Sequence, residues 1–307
     1  MNSRDIADAL TTALEQRGFK STMVSTDCVA ELRERIEKNR ASGKIDGSVF
    51  QQYATYFENM LTQDVPWARS IIVVAVPSPI LEVIFNLGGQ RRAVVIPPTY
   101  EHSIDETVAT TIEMVLVPHR FRICRAMLPH KLLAVQSGMA RYGKNNISYV
   151  EGMGSFHRLL AFYSDFPVVN GVWREPQVLD ECRGCTACTK HCPTGAIVPD
   201  RFQLRAERCL TLHNEATEPF PKWIDASWHH CLVGCMQCQH YCPVNKDVRL
   251  WKEPLAELTA EETELLLAGV AAAEMPASII DKLKYTGLVE DPISLTRNLR
   301  SALDAKG

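Results

Sequence analysis

Hydrophobic residues near the start of the chain recur at the spacing of a helix. The apolar positions of this first predicted helix are Ile6, Leu10, Ala13 and Leu14. Gly18 follows and predicts the end of the helix, because glycine readily adopts the left-handed conformation that ends helices. A second helix is predicted over residues 28–40, with Val29, Leu32 and Ile36 on its buried face.

Two later segments have the uninterrupted apolar pattern of buried strands. Residues 70–76 read SIIVVAV and end at Pro77, and residues 92–96 end before Pro97 in the same way. β-Branched runs of this length predict strands that are covered on both faces. Ser103–Glu106 has the form of a capping box and predicts the start of another helix.

The remaining elements of the first half complete an alternating pattern. They are a helix over residues 128–141 and strands at 147–150 and 157–163. Helices that alternate with apolar strands predict an α/β (α+β) layer of roughly 170 residues. We assign this catalytic-type domain to residues 1–175.

The second half of the chain divides at its cysteines. Residues 176–248 are rich in turns and predict a bacterial two-cluster ferredoxin-like module that depends on bound metal for much of its stability. Residues 249–307 predict a short helical tail. In this tail Thr259–Glu262 has the form of a second capping box, and Gly287 and Pro292 interrupt the helical pattern.

Composition narrows the class of protein. The chain has 307 residues, 46% hydrophobic and 22% charged, which is typical of a globular protein. A net charge of -3 gives no global signature of nucleic-acid or anionic-membrane binding. The polar N-terminal segment has no secretory signal, and no apolar run reaches the roughly 18 residues of a membrane-spanning helix. We therefore expect a cytoplasmic protein with no membrane partner.

Nine of the eleven cysteines lie within residues 182–242. Residues 182–193 read CRGCTACTKHCP, and residues 231–243 read CLVGCMQCQHYCP. Three cysteines spaced as CxxCxxC hold one face of an iron–sulfur cluster, and in two-cluster ferredoxins the fourth, which precedes proline, binds the other cluster. Four-thiolate zinc sites also use CxxC pairs, but the two CxxxCP endings favour [4Fe-4S] clusters.

Two clusters need eight cysteine ligands, and the second motif leaves one of them open. Cys231 lies four positions before Cys235 instead of three, so its role is in doubt, and Cys209 is an alternative ligand. The first cluster would take Cys182, Cys185, Cys188 and Cys242. The second cluster would take Cys192, Cys235, Cys238 and either Cys209 or Cys231.

The cysteine module resembles that of the epoxyqueuosine reductase-like family, to which cobalamin-dependent reductive dehalogenases are related. The resemblance lies in CRGCTACTKHCPTGAI, the lone cysteine of ERCL and GCMQCQHYCPVNKD, and it extends to residues 131–156 upstream. The family pattern has its intermediate ligand at the position of Cys209. The resemblance also implies a bound cobalamin, reduced through the clusters by an external ferredoxin- or flavodoxin-type donor of low potential.

The proton donor departs from the family pattern. Epoxyqueuosine reductase has an aspartate fourteen residues before the glycine that matches Gly138, and Cys124 occupies that position here. A thiol can donate a proton after local tuning of its pKa, although cysteine is more commonly a small buried residue. Tyr142 is an alternative donor.

Two glycine-containing turns are candidates for cofactor binding. Tyr142, Gly143 and Lys144 would line the cofactor site, with Lys144 facing an anionic group; the alternative is a turn in which Gly143 has positive φ and Lys144 faces solvent. Gly154 and Ser155 would allow close approach of the backbone to a corrin, or would simply form a turn before a strand.

Three functions are compatible with these residues. The main hypothesis is a corrinoid-dependent iron–sulfur reductase that passes electrons to a pocket in the N-terminal domain, with an unknown substrate for which a small molecule is one candidate. The acidic balance and the missing C-terminal repeats of the tRNA-modifying enzymes argue against tRNA as substrate. The alternatives are epoxyqueuosine reductase itself and a non-catalytic two-cluster electron carrier.

Overall fold

The computed structural model describes residues 2–52 and 65–305. The chain forms two compact units, and each unit combines segments that are distant in sequence. The first unit comprises Met1–Pro77, Ser103–Cys185 and Asp200–Arg205. The second comprises Ser78–His102, Thr186–Pro199 and Ala206–Gly307.

The helices and strands are numbered here in chain order. The described helices are α1 (Ser3–Glu15), α2 (Cys28–Ala41), α3 (Gly47–Gln52), α4 (Ile104–Leu116), α5 (His130–Gln136), α6 (Ala187–Lys190), α7 (Leu210–Glu215), α8 (Gln237–His240), α9 (Ala260–Ala268), α10 (Ala277–Leu283) and α11 (Pro292–Asp304). The described strands are β1 (Lys20–Ser25), β2 (Ser70–Pro77), β3 (Ile80–Leu87), β4 (Gln90–Ile96), β5 (Ile123–Arg125), β6 (Ala140–Tyr142), β7 (Ser148–Val150), β8 (His157–Ser164) and β9 (Lys252–Leu258).

The first unit is built on an antiparallel sheet with strand order β1-β2-β8-β5. Strand β2 is central and buried on both faces, as its apolar sequence predicts. Ile71 and Val73 face a core formed with α2 and α5, whereas Ile72 and Val74 face a core formed with α1 and α4. Full burial of one such aliphatic side chain stabilises the fold by about 1.5–3 kcal/mol, so this strand anchors both layers.

Helix α1 forms as its periodicity predicts. Ile6, Leu10 and Leu14 are buried, and Gly18 has φ +78° just after the helix. Asn2 caps the N-terminus: its side chain accepts backbone hydrogen bonds, and that of Asp5 accepts one from the Asn2 N–H. The local signals at both ends of this helix therefore agree with the structure.

Two sequence predictions in this unit are wrong in detail. The helix predicted over residues 128–141 ends at Gln136, because Gly138 (φ +81°) turns the chain into β6. The predicted capping box at Ser103 does not form, since Ser103 makes no side-chain cap hydrogen bond. Asp105 of the same turn instead accepts hydrogen bonds from Arg125 and Arg158.

The second unit has a three-stranded sheet with order β4-β3-β9. Strands β3 and β4 form a hairpin through Gly88 and Gly89, which have the positive φ angles that a two-residue turn requires. The predicted helical tail is present but begins with a strand, because residues 252–258 pair in parallel with β3. Pro254 is tolerated there because β9 is an edge strand of this sheet.

Helices α9, α10 and α11 cover the apolar side chains of this sheet. The capping box predicted at Thr259 is confirmed, as is the interruption of helix between Leu283 and Pro292. Asn298 is fully buried on α11, and its Nδ2 donates to the carbonyl oxygens of Asn214 (2.7 Å) and Leu232 (2.8 Å). Its amide thereby ties α11 to two segments that lie beside cysteines.

The described residues thus form a mixed α/β protein with a helical C-terminal tail, as predicted. Within residues 2–52 and 65–305, no helix combines the length and apolar character needed to span a bilayer.

A buried histidine should make the stability of the first unit depend on pH. The His157 ring lies between Gly154 O (Nδ1, 3.1 Å) and Ser148 Oγ (Nε2, 3.0 Å), and burial lowers its pKa from 6.5 to about 4. The neutral ring therefore contributes stability that is fully present above pH 6.5 and is lost as the pH falls towards 4.

Between pH 7.5 and 5.5 this loss should amount to about 1.4 kcal/mol in the free energy of unfolding. In the His157→Gln variant the free energy of unfolding should fall by that much less over the same pH range, because glutamine does not titrate. Urea unfolding of the cluster-loaded protein at both pH values measures the difference. Equal pH dependence of the two proteins would contradict the assignment.

Candidate functional site

The first cysteine motif begins in a tight turn of the first unit. Cys182 ends a 3₁₀ helix that starts at Asp180, and Gly184 (φ +69°) then reverses the chain. The Cys185 N–H donates to Cys182 O at 3.3 Å, so the two cysteines lie on one loop. This compact turn is what a CxxC cluster-binding segment requires.

Lys144 contacts this turn through two donors. Its backbone N–H donates to Cys182 Sγ (3.4 Å), and its Nζ donates to Cys185 O (3.1 Å). Lys144 therefore faces the cysteine loop, and the alternative in which it faces solvent is wrong. A hydrogen bond to the sulfur and a nearby cation both favour the more negatively charged, reduced form of a cluster.

The turn that carries Lys144 is held by close packing. A Cβ at Gly143 would lie 2.4 Å from Asn145 Oδ1 and 2.5 Å from Tyr149 Cε2, so only glycine fits. The expectation of positive φ at this glycine is wrong, because the left-handed residue is Asn146 (φ 64°). Asn145 Nδ2 donates to the Tyr149 hydroxyl at 2.9 Å, which fixes the turn against β7.

Cys192, Cys209 and Cys235 lie close enough in the second unit for their charges to interact. Burial raises the pKa of the Cys209 thiol, and burial together with the charges of Cys209 and Cys192 raises the pKa of Cys235 to about 12. Backbone N–H groups of Thr211 and Gln237 donate to Cys209 and Cys235, respectively, and oppose this rise.

This donor set fits an iron–sulfur cluster. Buried thiols that repel one another when ionised need a compensating cation, and iron supplies it while accepting thiolate ligands. Cys188 on α6 and Cys238 on α8 belong to the same unit, and these two short helices contact each other. Cys242 begins the following 3₁₀ turn.

Cys231 has different surroundings from Cys209. It is fully buried and forms a bridge with Val95, where Leu232 N–H donates to Val95 O at 2.9 Å. Cys209 interacts electrostatically with both Cys192 and Cys235. The choice of Cys209 over Cys231 as the ligand that completes the second set stays a prediction.

The two candidate proton donors belong to one hydrophobic core of the first unit. Cys124 lies on β5 opposite Tyr163, half-buried, and burial raises the pKa of its thiol. Tyr142 ends β6 and is 9% exposed, with its ring edge-on to Phe202 (5.2 Å between centroids). Burial raises the pKa of Tyr142 although the Arg35 charge opposes it. Both groups therefore keep their protons at neutral pH.

Gly154 and Ser155 form a turn that supports strands. Val150 N–H donates to Gly154 O at 2.9 Å, and Gly154 has φ +56°. The same carbonyl accepts from His157, and Ser155 is buried. Their suggested role in cofactor binding stays a prediction.

The sequence pattern did not reveal the ion pair that forms beside Cys124. Arg125, the next residue, shares Asp105 with Arg158; the distances from their Nη2 atoms to Asp105 Oδ2 are 2.9 and 2.7 Å. Burial raises the pKa of Asp105, but the hydrogen bonds and charges of the two arginines outweigh it and the pKa is lowered. These partners are 20 and 53 residues apart in sequence, so no local motif indicates them.

Comparison with known proteins supports two [4Fe-4S] clusters in the part of the chain that contains the cysteine motifs. A family model described as a 4Fe-4S double cluster binding domain matches residues 181–245. The curated epoxyqueuosine reductase of Staphylococcus aureus is 25% identical over 259 residues, covering 80% of this chain and 65% of that protein. That of Cyclobacterium marinum is 28% identical over 159 residues, which are 50% of each protein. The chain thus spans half to about two thirds of these relatives.

Solved structures share the fold along almost the whole chain. A selenomethionine-labelled epoxyqueuosine reductase superposes with a TM-score of 0.71 at 21% identity, covering 99% of this chain and 82% of that one. An epoxyqueuosine reductase with an epoxyqueuosine-modified tRNA-Tyr stem loop gives a TM-score of 0.68 with the same coverage.

The cysteine motifs define an iron–sulfur protein with a double [4Fe-4S] cluster binding module. More particularly, it is epoxyqueuosine reductase-like in sequence and in fold, which confirms the resemblance drawn from residues 131–156 and the cysteine motifs.

The expectation that tRNA is an unlikely partner is wrong. A protein of the same fold has been solved with a tRNA stem loop, and the curated relatives are epoxyqueuosine reductases. Overall charge was a poor guide, because binding depends on the local surface and not on the net charge of -3.

Removing Cys209 should abolish one cluster. Cys209→Ala should bind about four irons where the unaltered chain binds about eight, because one cubane loses a thiolate ligand. Cys231→Ala, as a matched control, should keep about eight. Iron and sulfide analysis after anaerobic reconstitution measures both, and the converse pattern would assign the ligand to Cys231.

Removing the Lys144 ammonium should lower the reduction potential of one cluster. Lys144→Met keeps the length of the side chain and the backbone N–H bond to Cys182 but loses the positive charge. We expect one midpoint potential to fall while the other is unchanged, in redox titrations followed by EPR. Lys20→Met, on β1 of the same unit, should change neither. Identical potentials in all three proteins would contradict the role of Lys144.

Proposed function

We propose that this chain is a reductase of the epoxyqueuosine reductase type, with an epoxide-bearing nucleoside of a tRNA stem loop as its substrate. The observation that carries the proposal is the contact of Lys144 with Cys182 and Cys185. Within the first unit, this contact connects a sulfur of the first cysteine motif to the turn that also holds Tyr142. A hydrogen bond from the turn to a ligand sulfur gives electrons a short route from the cluster into the α/β fold.

The proposed ligand sets follow from the spacing of the cysteine motifs and from the family resemblance. One cluster takes Cys182, Cys185, Cys188 and Cys242, and the other takes Cys192, Cys209, Cys235 and Cys238. The clusters receive electrons one at a time from an external low-potential donor. Reduction of an epoxide to an alkene consumes two electrons and two protons and releases the oxygen as water, so a two-cluster protein can hold both electrons.

We propose Cys124 and Tyr142 as the groups that deliver protons. Burial keeps both protonated, so each would donate only to a strong base formed on the substrate. A carboxylic acid with an ordinary pKa would be ionised at neutral pH and would need its pKa raised for the same task. The Asp105 carboxylate holds Arg125, the neighbour of Cys124, and so fixes strand β5.

A bound cobalamin would supply a reduced cobalt as nucleophile or reductant. This part of the proposal rests on the sequence resemblance of residues 131–156, and the roles given to Cys124, Tyr142 and Lys144 do not depend on it. Gly143, Lys144, Gly154 and Ser155 are the residues proposed to lie near it. Changes in the EPR and visible spectra of cob(II)alamin on adding the reconstituted protein would support binding.

Loss of the Cys124 thiol should slow the reaction on an epoxyqueuosine-modified tRNA stem loop. Removing a general acid lowers the rate about 10²–10⁴-fold. The turnover rate of Cys124→Ala should therefore fall by that factor. Cys124→Asp should restore turnover. Cys28→Ala removes another thiol from the same core and should have little effect.

The reaction is followed by mass spectrometry of the released nucleosides, with cob(II)alamin and a chemical reductant present. If neither the unaltered protein nor Cys124→Asp converts the nucleoside while both clusters are intact and reducible, this substrate is ruled out. Full activity of Cys124→Ala with loss of activity in Tyr142→Phe would assign the proton to Tyr142.

A further inference from the structure

The two cysteine motifs bring one aromatic residue each to the same place on the second unit. His191 directly precedes Cys192 and Pro193, and Tyr241 directly precedes Cys242 and Pro243, so the two rings occupy equivalent positions in the motifs. Their centroids are 3.7 Å apart with 14° between the planes. The His240 ring packs edge-on against Tyr241 at 5.2 Å.

The stack is ordered yet open to solvent. His191 Nδ1 lies 2.9 Å from Ala187 O on α6, and this hydrogen bond fixes the plane of its ring. Tyr241 is 43% exposed, and His191 and His240 are exposed as well. A large aromatic side chain that is both fixed and exposed offers a flat contact surface to a partner.

The position of the stack relative to the clusters is informative. His191 and Tyr241 each adjoin a proposed ligand, Cys192 and Cys242, and these two ligands belong to different clusters. An electron that arrives at the stacked rings is therefore one residue away from a ligand of either cluster. The stack consists of one ring from each motif, so neither motif alone could form it.

Positive side chains lie beside the stack along the chain. Lys190 ends α6 next to His191, and Lys246 and Arg249 follow Cys242, with Asp247 as the single acidic residue between them. Arg249 N–H donates to Asn245 O (2.8 Å) and Asn245 Nδ2 donates to Gln239 O (2.8 Å), so this segment folds back onto α8. Residues 186–193 and 237–249 thus carry Lys190, Lys246 and Arg249 against the single Asp247, although the whole chain has a net charge of -3.

We propose that the His191–Tyr241 stack and the cations beside it form the docking and electron-entry site for a small acidic one-electron carrier protein. The inference deepens the proposed function, since it names where the clusters receive their electrons. The reduced carrier gives up one electron and is oxidised, and one oxidised [4Fe-4S] cluster accepts the electron; no bond or proton is transferred. Charge complementarity favours an acidic partner, because opposite charges speed the encounter of two proteins.

The test measures cluster reduction without any substrate, so it does not depend on the identity of the reaction. Reduced flavodoxin, an acidic carrier, is mixed anaerobically with the reconstituted protein, and bleaching of the cluster absorbance is followed by stopped flow. Lys190→Glu combined with Lys246→Glu should slow the second-order rate at low salt by about tenfold or more. Added salt should shrink this difference, because it screens the charges.

Matched controls separate docking from cluster damage. Lys38→Glu combined with Lys44→Glu makes the same change in net charge on exposed residues of the first unit and should leave the rate unchanged. Dithionite, a small reductant that needs no docking, should reduce all variants equally, and their iron content should be equal. Tyr241→Phe should keep the rate with flavodoxin, and Tyr241→Ala should lower it.

An equal rate with flavodoxin for the Lys190/Lys246 variant and the unaltered protein would overturn the inference. If that variant also binds a tRNA stem loop more weakly, the surface would be assigned to nucleic acid. Normal cluster reduction by flavodoxin in a protein that fails to convert the modified nucleoside would leave this inference intact and contradict only the proposed function.

Discussion

Buried thiols that lie close together need a positive charge among them, and this constraint governs the second unit. Burial and mutual repulsion raise the pKa of Cys209 and Cys235, so the thiols alone would remain protonated and contribute little to holding their turns in place. Iron bound to these sulfurs changes that balance, because it favours the thiolates and joins segments that are distant in sequence. The short helices α6, α7 and α8, each no longer than 6 residues, would be marginal without such a link.

The link between the first cysteine loop and the α/β fold depends on a turn whose close packing admits only glycine at residue 143. Gly143 is packed against Asn145 and Tyr149, and the turn delivers the backbone N–H and ammonium of Lys144 to the first cysteine loop. The same turn holds Tyr142 in the core that also contains Cys124. Electron delivery and proton delivery are therefore proposed to share one small region of the first unit. Under this proposal Cys124 takes the place of a carboxylic acid as a weaker proton donor, and burial raises the pKa of its thiol further.

Several local features could be predicted because they depend on neighbours in sequence. The burial of 70–76, the end of α1 at Gly18 and the capping box at Thr259 follow from periodicity and from the chemistry of single residues. The predicted helix over residues 128–141 was too long because Gly138 overrides the apolar pattern around it. Ser103 makes no cap hydrogen bond because its backbone is helical (φ -60°, ψ -30°), whereas a capping residue is normally extended.

The sequence by itself determined that the chain carries two iron–sulfur motifs, that a mixed α/β fold precedes them, and which protein family it resembles. Ligand spacing and hydrophobic period are local properties, so they can be read directly from the amino-acid sequence. Only the tertiary structure decided that residues 78–102 pack with the C-terminal helices, that Lys144 meets Cys182, and that His191 stacks on Tyr241. Each of these contacts joins residues that lie far apart along the chain. These contacts depend on how strands and turns are arranged in space, so local sequence patterns cannot predict them.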